Sequence, residues 1–178
     1  MMSRRPYRRP TEVTDAAQGD SPPKTENASR RPGLSLKGRA LAYLARREHS
    51  RLELRRKLAP HADSQEELDA LLDLLEQENL LSNQRFAESV VNRRASRLGT
   101  SRIVSELKQH ALDPQAVSDV AERLRGTEFE RAQAVWQKKF GQPADSPQER
   151  ARQMRFLAGR GFSQGVIRKV VRGADFDD

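Results

Sequence analysis

Part of this chain matches itself 49 residues later, and that constrains the fold more than any single motif. Leu54, Leu58, Leu68, Leu71 and Leu75 recur as Ile103, Leu107, Val117, Val120 and Leu124. The first two of each set lie one helical turn apart, and the last three fall at i, i+3, i+7, the spacing of one helix face. A fainter third copy is expected 63 residues beyond the second, with Ile103 and Leu107 reappearing as Val166 and Val170. A period of this size marks a helical unit too small to bury its own core, completed by stacking on its neighbours. The expected molecule is an elongated array, a shape suited to a long partner.

Helix punctuation agrees. Ser50 with Glu53, Ser64 with Glu67 and Thr127 with Glu130 have the spacing of capping boxes. Asp113-Pro114 and Ser146-Pro147 place a capping side chain before a proline at the first helical position, and Ser82 and Ser163 are further candidate caps. These signals predict helices near 36–47, 51–60, 65–78, 83–97, 101–110, 114–125, 128–140, 147–159 and 164–172. No sustained period-2 pattern of β-branched residues predicts a strand. The fold class is therefore all-α, with three tandem three-helix, helix-turn-helix-like repeats over 36–81, 82–126 and 127–178, the last ending in a short acidic tail. Residues 1–35 hold five of the nine prolines and few large apolar side chains, which predicts a disordered basic arm.

The partner is expected to be acidic. The chain carries a net charge of +8 with a pI near 10.4. Residues 37–62 hold eight Lys/Arg against Glu48 and Glu53, while residues 63–79 hold seven acids and no base. Residues 83–110 hold six bases against two acids, and residues 147–172 hold seven bases against Glu149 alone. Stacked repeats would align their basic helices on one side. The candidate contacts are Arg46, Arg47, Arg55 and Arg56 in the first repeat, and Arg93, Arg94, Arg97 and Arg102 in the second. In the third they are Arg150, Arg152, Arg155, Arg160, Arg168 and Lys169. Phe86, Phe129, Trp136, Phe140, Phe156 and Phe162 fall at core spacing, so base stacking is not their expected role.

Nothing in the sequence builds a catalytic or metal site. His49, His61 and His110 fall near predicted helix ends, where a dipole or surface role is expected, and none pairs with a carboxylate at metal-ligand spacing. No phosphate-cradling G-x-x-x-x-G-K-[ST] is present. Gly159 and Gly161 fit ordinary helix capping. No cysteine is present, which excludes disulfides and thiolate metal sites. No apolar run approaches the ~18 residues that span a bilayer. A cytoplasmic, monomeric protein without cofactor or metal is expected.

Five stretches then carry a family resemblance: A-L-A-Y-L-A-R-R (40–47), S-R-L-E-L-R-R-K-L (50–58), L-L-S-N-Q-R-F-A-E-S-V-V-N-R-R (80–94), R-I-V-S-E-L-K-Q-H-A-L-D (102–113) and R-F-L-A-G-R-G-F-S-Q-G-V-I-R-K-V-V (155–171). In order and spacing they resemble RecX, the regulator of the bacterial recombinase RecA, over about residues 36–172. The resemblance implies tandem three-helix repeats in a bent molecule that binds along the groove of the RecA–DNA filament. It also implies that filament growth, ATPase, strand exchange and coprotease activity are damped, in recombination, DNA repair and the SOS response. Single- or double-stranded DNA would be a weaker, salt-sensitive partner. Two alternatives stay open on the residues themselves. One is a helix-turn-helix transcription regulator built on 101–125, although its would-be recognition helix is acidic. The other is a scaffold with no nucleic-acid partner.

Overall fold

The structure, a computed structural model, describes residues 33–173. The basic arm, apart from its last three residues, and the acidic tail lie outside the described residues. Among those residues the chain forms nine α-helices and no strand. They are α1 (Leu36–Leu44), α2 (Arg51–Leu58), α3 (Gln65–Gln77), α4 (Asn83–Arg94), α5 (Thr100–Lys108), α6 (Pro114–Gly126), α7 (Glu128–Lys139), α8 (Pro147–Ala158) and α9 (Gln164–Gly173), with a 3-10 turn at Ala59–His61. No described helix is long and apolar enough to cross a membrane.

The helix starts follow from the caps. The Ser50, Ser64 and Ser82 hydroxyls accept the amides of Glu53, Glu67 and Arg85 at 3.1, 3.1 and 3.3 Å, and Ser35 does the same for α1 from Gly38. Asp113 and Ser146 accept from Ala116 at 2.9 Å and Glu149 at 3.2 Å, each ahead of a proline. Thr127 departs from expectation, because its side chain caps nothing. It closes α6 and opens α7 with no intervening loop, and its hydroxyl instead accepts from Arg131 at 3.3 Å.

Three apolar clusters form, one per group of three helices. The first holds Ala40, Leu54, Leu58, Leu68, Leu72, Leu75 and Leu81. The second gathers Phe86, Val90, Ile103, Leu107, Leu112, Val117, Val120 and Leu124, and the third Ala132, Trp136, Leu157, Phe162, Ile167, Val170 and Val171. Nine of the ten repeated positions are buried. Leu71 is only half-buried and Leu72 takes the core place.

The third copy also needs its register corrected. Val166 and Val170 belong to α9, the third helix of its group, and so cannot match Ile103 and Leu107 of α5. The structural counterparts lie 50 residues on: Ile103 and Leu107 map to Gln153 and Leu157, and Val117, Val120 and Ala121 map to Ile167, Val170 and Val171. Gln153 breaks the apolar pattern because it is buried against Trp136, whose Nε1–H donates to Gln153 Oε1 at 2.8 Å. Phe129 is likewise exposed rather than core.

Successive groups meet through one joint used twice. At each joint the first amide of the second helix in one group donates to the first side chain of the leading helix in the next. Arg51 N–H reaches Asn83 Oδ1 at 2.9 Å, and Thr100 N–H reaches Glu128 Oε1 at 2.8 Å. The residues before those amides touch the turn between the last two helices of the following group. Ser50 hydrogen-bonds His110 Nδ1 at 3.0 Å, and Gly99 N–H donates to the Arg160 carbonyl at 2.9 Å. The Gly99 contact is backbone on backbone, and a Cβ there would overlap Gly161 and Phe162. Gly161 has φ +83°, and Ala111, 50 residues earlier, takes the same left-handed conformation at φ +51°.

Candidate basic cleft

The first group pairs half of its own cations with its own acids. Arg47 binds Glu53, and Arg51 lies 2.7 Å from Asp73 and 2.5 Å from Glu76. Arg55 pairs with Asp69 at 3.2 Å, and Lys37 with Glu78 at 3.1 Å. The acidic third helix therefore faces the basic helices of its own group, so the first repeat does not extend a basic face as the charge pattern suggested. Of the four contacts expected there, Arg47 and Arg55 are ion-paired, while Arg46 and Arg56 are exposed.

Between the second and third groups the cations converge instead. Arg94, Leu98, Arg102, Ser105, Glu106, Gln109 and His110 line a depression of about 660 Å³. A smaller one, about 250 Å³, is bounded by Arg94, Arg97, Leu98 and Arg160. A third, about 520 Å³, is lined by Ser96, Arg97, Ala134, Val135, Lys138, Lys139, Phe156 and Arg160. Arg94 and Leu98 line both of the first two, and Arg97 and Arg160 line both of the last two, so the three adjoin. Six lining residues are bases. Glu106 is the only lining acid, and it is already bound through both oxygens by Arg94 at 3.1 and 3.2 Å.

The cleft thus uses Arg94, Arg97, Arg102 and Arg160 of the expected set and adds Lys138 and Lys139, which sequence reasoning missed. Arg93, Arg150, Arg152, Arg155, Arg168 and Lys169 are exposed but line none of the three depressions, and Arg152 pairs with Glu149 at 3.1 Å. Arg160 lies flat on Phe156, its Cζ 3.6 Å from the ring centroid, which holds the guanidinium plane in place. Phe140 meets the same ring nearly perpendicularly at 5.1 Å.

Two polar groups of the second joint, the buried Glu128 and the half-buried Arg131, sit on α7, the helix that carries Lys138 and Lys139. Burial alone would raise the Glu128 carboxyl. Amide and hydroxyl donors from Thr100 and Ser163, at the starts of α5 and α9, outweigh that and hold it below the usual carboxylate range. Arg131 makes five hydrogen bonds: to the carbonyls of Ala95, Leu98 and Leu124 at 3.2, 2.6 and 2.8 Å, and to the hydroxyls of Thr100 and Thr127 at 3.2 and 3.3 Å. Burial pushes its guanidinium down from its ordinary value, opposed by Glu128 and Glu130. A local helix pattern does not single out either residue, because their partners lie about 30 positions away.

His61 is exposed as expected, but His49 is not a surface residue. His49 is buried, and burial lowers its pKa, with Arg47 and Lys57 nearby. His110 is half-buried at the first joint, 4.6 Å from the Phe86 ring centroid. The would-be recognition helix α6 buries Val117, Val120, Ala121 and Leu124, and its Arg123 pairs with Glu88 at 2.7 Å.

The fold and the site define a tandem-repeat helical protein with basic depressions beside a repeat joint. The comparisons specify which. The profile of "RecX, third three-helix domain" matches residues 127–171. The Regulatory protein RecX of Ralstonia nicotianae is 59% identical over 145 residues, covering 82% of this chain and 91% of that protein. The Regulatory protein RecX of Pseudomonas putida, strain GB-1, is 43% identical over 150 residues, covering 82% and 94%. The crystal structure of RecX from Lactobacillus salivarius superposes with a TM-score of 0.67 at 19% identity, over 79% of this chain and 94% of that one. This chain belongs to the RecX family of regulatory proteins.

Proposed function

We propose that this protein is a non-enzymatic cytoplasmic regulator that binds the RecA–DNA filament and mainly inhibits its ATPase, strand-exchange and coprotease activities in recombination, DNA repair and the SOS response. The observation that carries this is the excess of base in the cleft: Arg97, Arg102, Lys138, Lys139 and Arg160 line it, and its one lining acid, Glu106, is taken up by Arg94. An exposed cation cluster without its own counter-charges repels itself and is relieved by a polyanion, and the planar fork of arginine suits phosphate and carboxylate alike. Repeats joined in series would suit a partner with a long groove. Bare DNA would be a weaker partner, bound with a strong dependence on salt.

The test is the ATPase rate of a preformed RecA filament. Purified protein should hydrolyse no ATP and lower the filament rate, and R97E/R160E should lose that inhibition while remaining folded. Intrinsic turnover that tracks with one residue of this chain would overturn the non-enzymatic assignment.

A further inference from the structure

On a different flank of α5 from the basic depressions lies another, of about 390 Å³, that the proposed function does not use. Ser101 and Val104 line it, whereas Arg102, Ser105, Glu106 and Gln109 line the large basic one, and the two sets fall on different faces of the helix. This depression spans the second joint. Val104 of α5 and Ala121 of α6 belong to the second repeat and Val166 of α9 to the third, and together they give it an apolar floor.

Two charged residues stand beside that floor. Arg125 is exposed, and among the described residues no ion pair or hydrogen bond engages its guanidinium. Glu128 is buried, and donors from Thr100 and Ser163 take up its charge. The charge left open to a ligand is therefore positive, so the depression suits an apolar side chain flanked by carboxylates.

The chain carries such a segment immediately after α9: residues 174–178 read A-D-F-D-D, one ring among three aspartates. Val166 and Gly173 are seven residues apart on α9, two helical turns, so the chain leaves the helix on the face that Val166 presents to the depression. The exposed Lys169 lies between them on that face. At ~1.5 Å per residue the two positions are about 10 Å apart. Three extended residues turned back along the helix cover about the same distance, which would bring Phe176 level with Val166, Asp175 beside Lys169 and Asp177 towards Arg125.

We infer that this depression is the docking site of the chain's own residues 174–178, with the Phe176 ring on Val104, Ala121 and Val166 and the flanking aspartates on Arg125 and Lys169. Docked there, the segment ties α9 of the third repeat to α5 and α6 of the second and braces the second joint. The inference goes beyond the proposed function and does not rest on it.

Methyl NMR of the full chain tests it. In F176A the methyls of Val104, Ala121 and Val166 should shift as the ring current is lost, while those of Leu72 and Val90, in the first and second cores, stay in place. Unmoved methyls at all three positions would overturn the docking. R125E should move the amide resonances of Asp175, Asp177 and Asp178 to those of the free peptide A-D-F-D-D. R123E, on the same helix but paired with Glu88 outside the depression, should not. Equal effects from the two would mean general charge attraction and would overturn the site. Added salt should act as R125E does, because exposed ion pairs are screened.

In a chain truncated after Gly173, the free peptide at millimolar concentration, the effective concentration a short tether supplies, should restore the methyl shifts. A-D-A-D-D should not, and equal restoration by both peptides would remove the ring from the site. Methyl shifts independent of protein concentration support docking within one chain. Shifts that vanish on dilution, with a matching fall in sedimentation coefficient, would assign the segment to a second copy and overturn the inference. Thr100 N–H, which spans the joint beside the depression, should exchange about threefold faster in F176A, and unchanged exchange would overturn the bracing role.

Discussion

The two repeat joints share one geometry and are built from opposite chemistry. At the first, the receiving side chain is the neutral Asn83, and the fourth residue of α4 is Phe86, stacked at 4.6 Å on His110. At the second, the receiving side chain is the buried carboxylate of Glu128, and the fourth residue of α7 is Arg131 with its five hydrogen bonds. An aromatic contact tolerates sliding, because dispersion is weakly directional. A buried carboxylate and guanidinium do not, because each displaced donor leaves a desolvated polar group behind. The directional joint is the one that carries the basic cleft. The tolerant joint adjoins a first repeat in which Lys37, Arg47, Arg51 and Arg55 are bound to its own acids.

The largest expected effect comes from breaking the tighter joint by shape. Gly99→Ala drives a Cβ into the Gly161 backbone and should destabilise the protein by about 3 kcal/mol, as overpacking at a site that cannot yield does. Ser50→Ala, at the matching place in the first joint, loses a cap and the His110 contact and should cost about 1 kcal/mol. Denaturant melts of the two variants side by side check the pair; equal losses would mean the joints are alike.

Charge reversal comes next. R97E/R160E should weaken filament binding about thirtyfold, equivalent to about 2 kcal/mol, while stability falls by about 1 kcal/mol, from loss of the Arg160 contact with Phe156 and not from the exposed Arg97. R47E/R55E, which breaks two internal ion pairs of the first repeat, should change binding by about twofold or less and stability by under about 1 kcal/mol. Titration against preformed filament separates the two, and a comparable loss from R47E/R55E would extend the interface onto the first repeat.

The joints should also separate on acidification. His49, beside the first joint, has a folded pKa below its ordinary 6.5, so its contribution is full above 6.5 and is lost as pH falls from there towards the folded value. Glu128 has a folded pKa below 4.5, so its contribution is present above 4.5 and is lost only as pH falls through the lower folded value. Amide exchange between pH 7 and pH 4, corrected for intrinsic rates, should therefore show Arg51 N–H opening before Thr100 N–H. The reverse order would contradict the assignment of the more robust joint.

The smallest effect is a gain. Ala111→Gly relieves a left-handed backbone that Gly161 occupies without strain, and should stabilise by up to about 1 kcal/mol, offset in part by greater chain entropy when unfolded. A loss of stability on thermal melting would show that the alanine methyl packs at the first joint.

The sequence by itself determined the helical class, most of the helix starts and nearly all of the core. Those features are local: a cap and its amide are three residues apart, and a helix face repeats every three to four. Leu54, Leu58, Ile103 and Leu107 were legible on that basis, and so were Ser50, Ser64, Asp113 and Ser146. The tertiary structure decided which cations remain free. Arg51 and Arg55 carry the same charge as Arg97 and Arg160, and only the packing of α2 on α3 reveals that the first two are neutralised. It also decided the register of the third repeat, where Gln153 stands in an apolar place because Trp136 supplies its hydrogen bond. Glu128 and Arg131 look like ordinary surface charges of an amphipathic helix. Partners about 30 residues away in sequence, brought together only by the stacking of one repeat on the next, make them the joint on which the cleft is built.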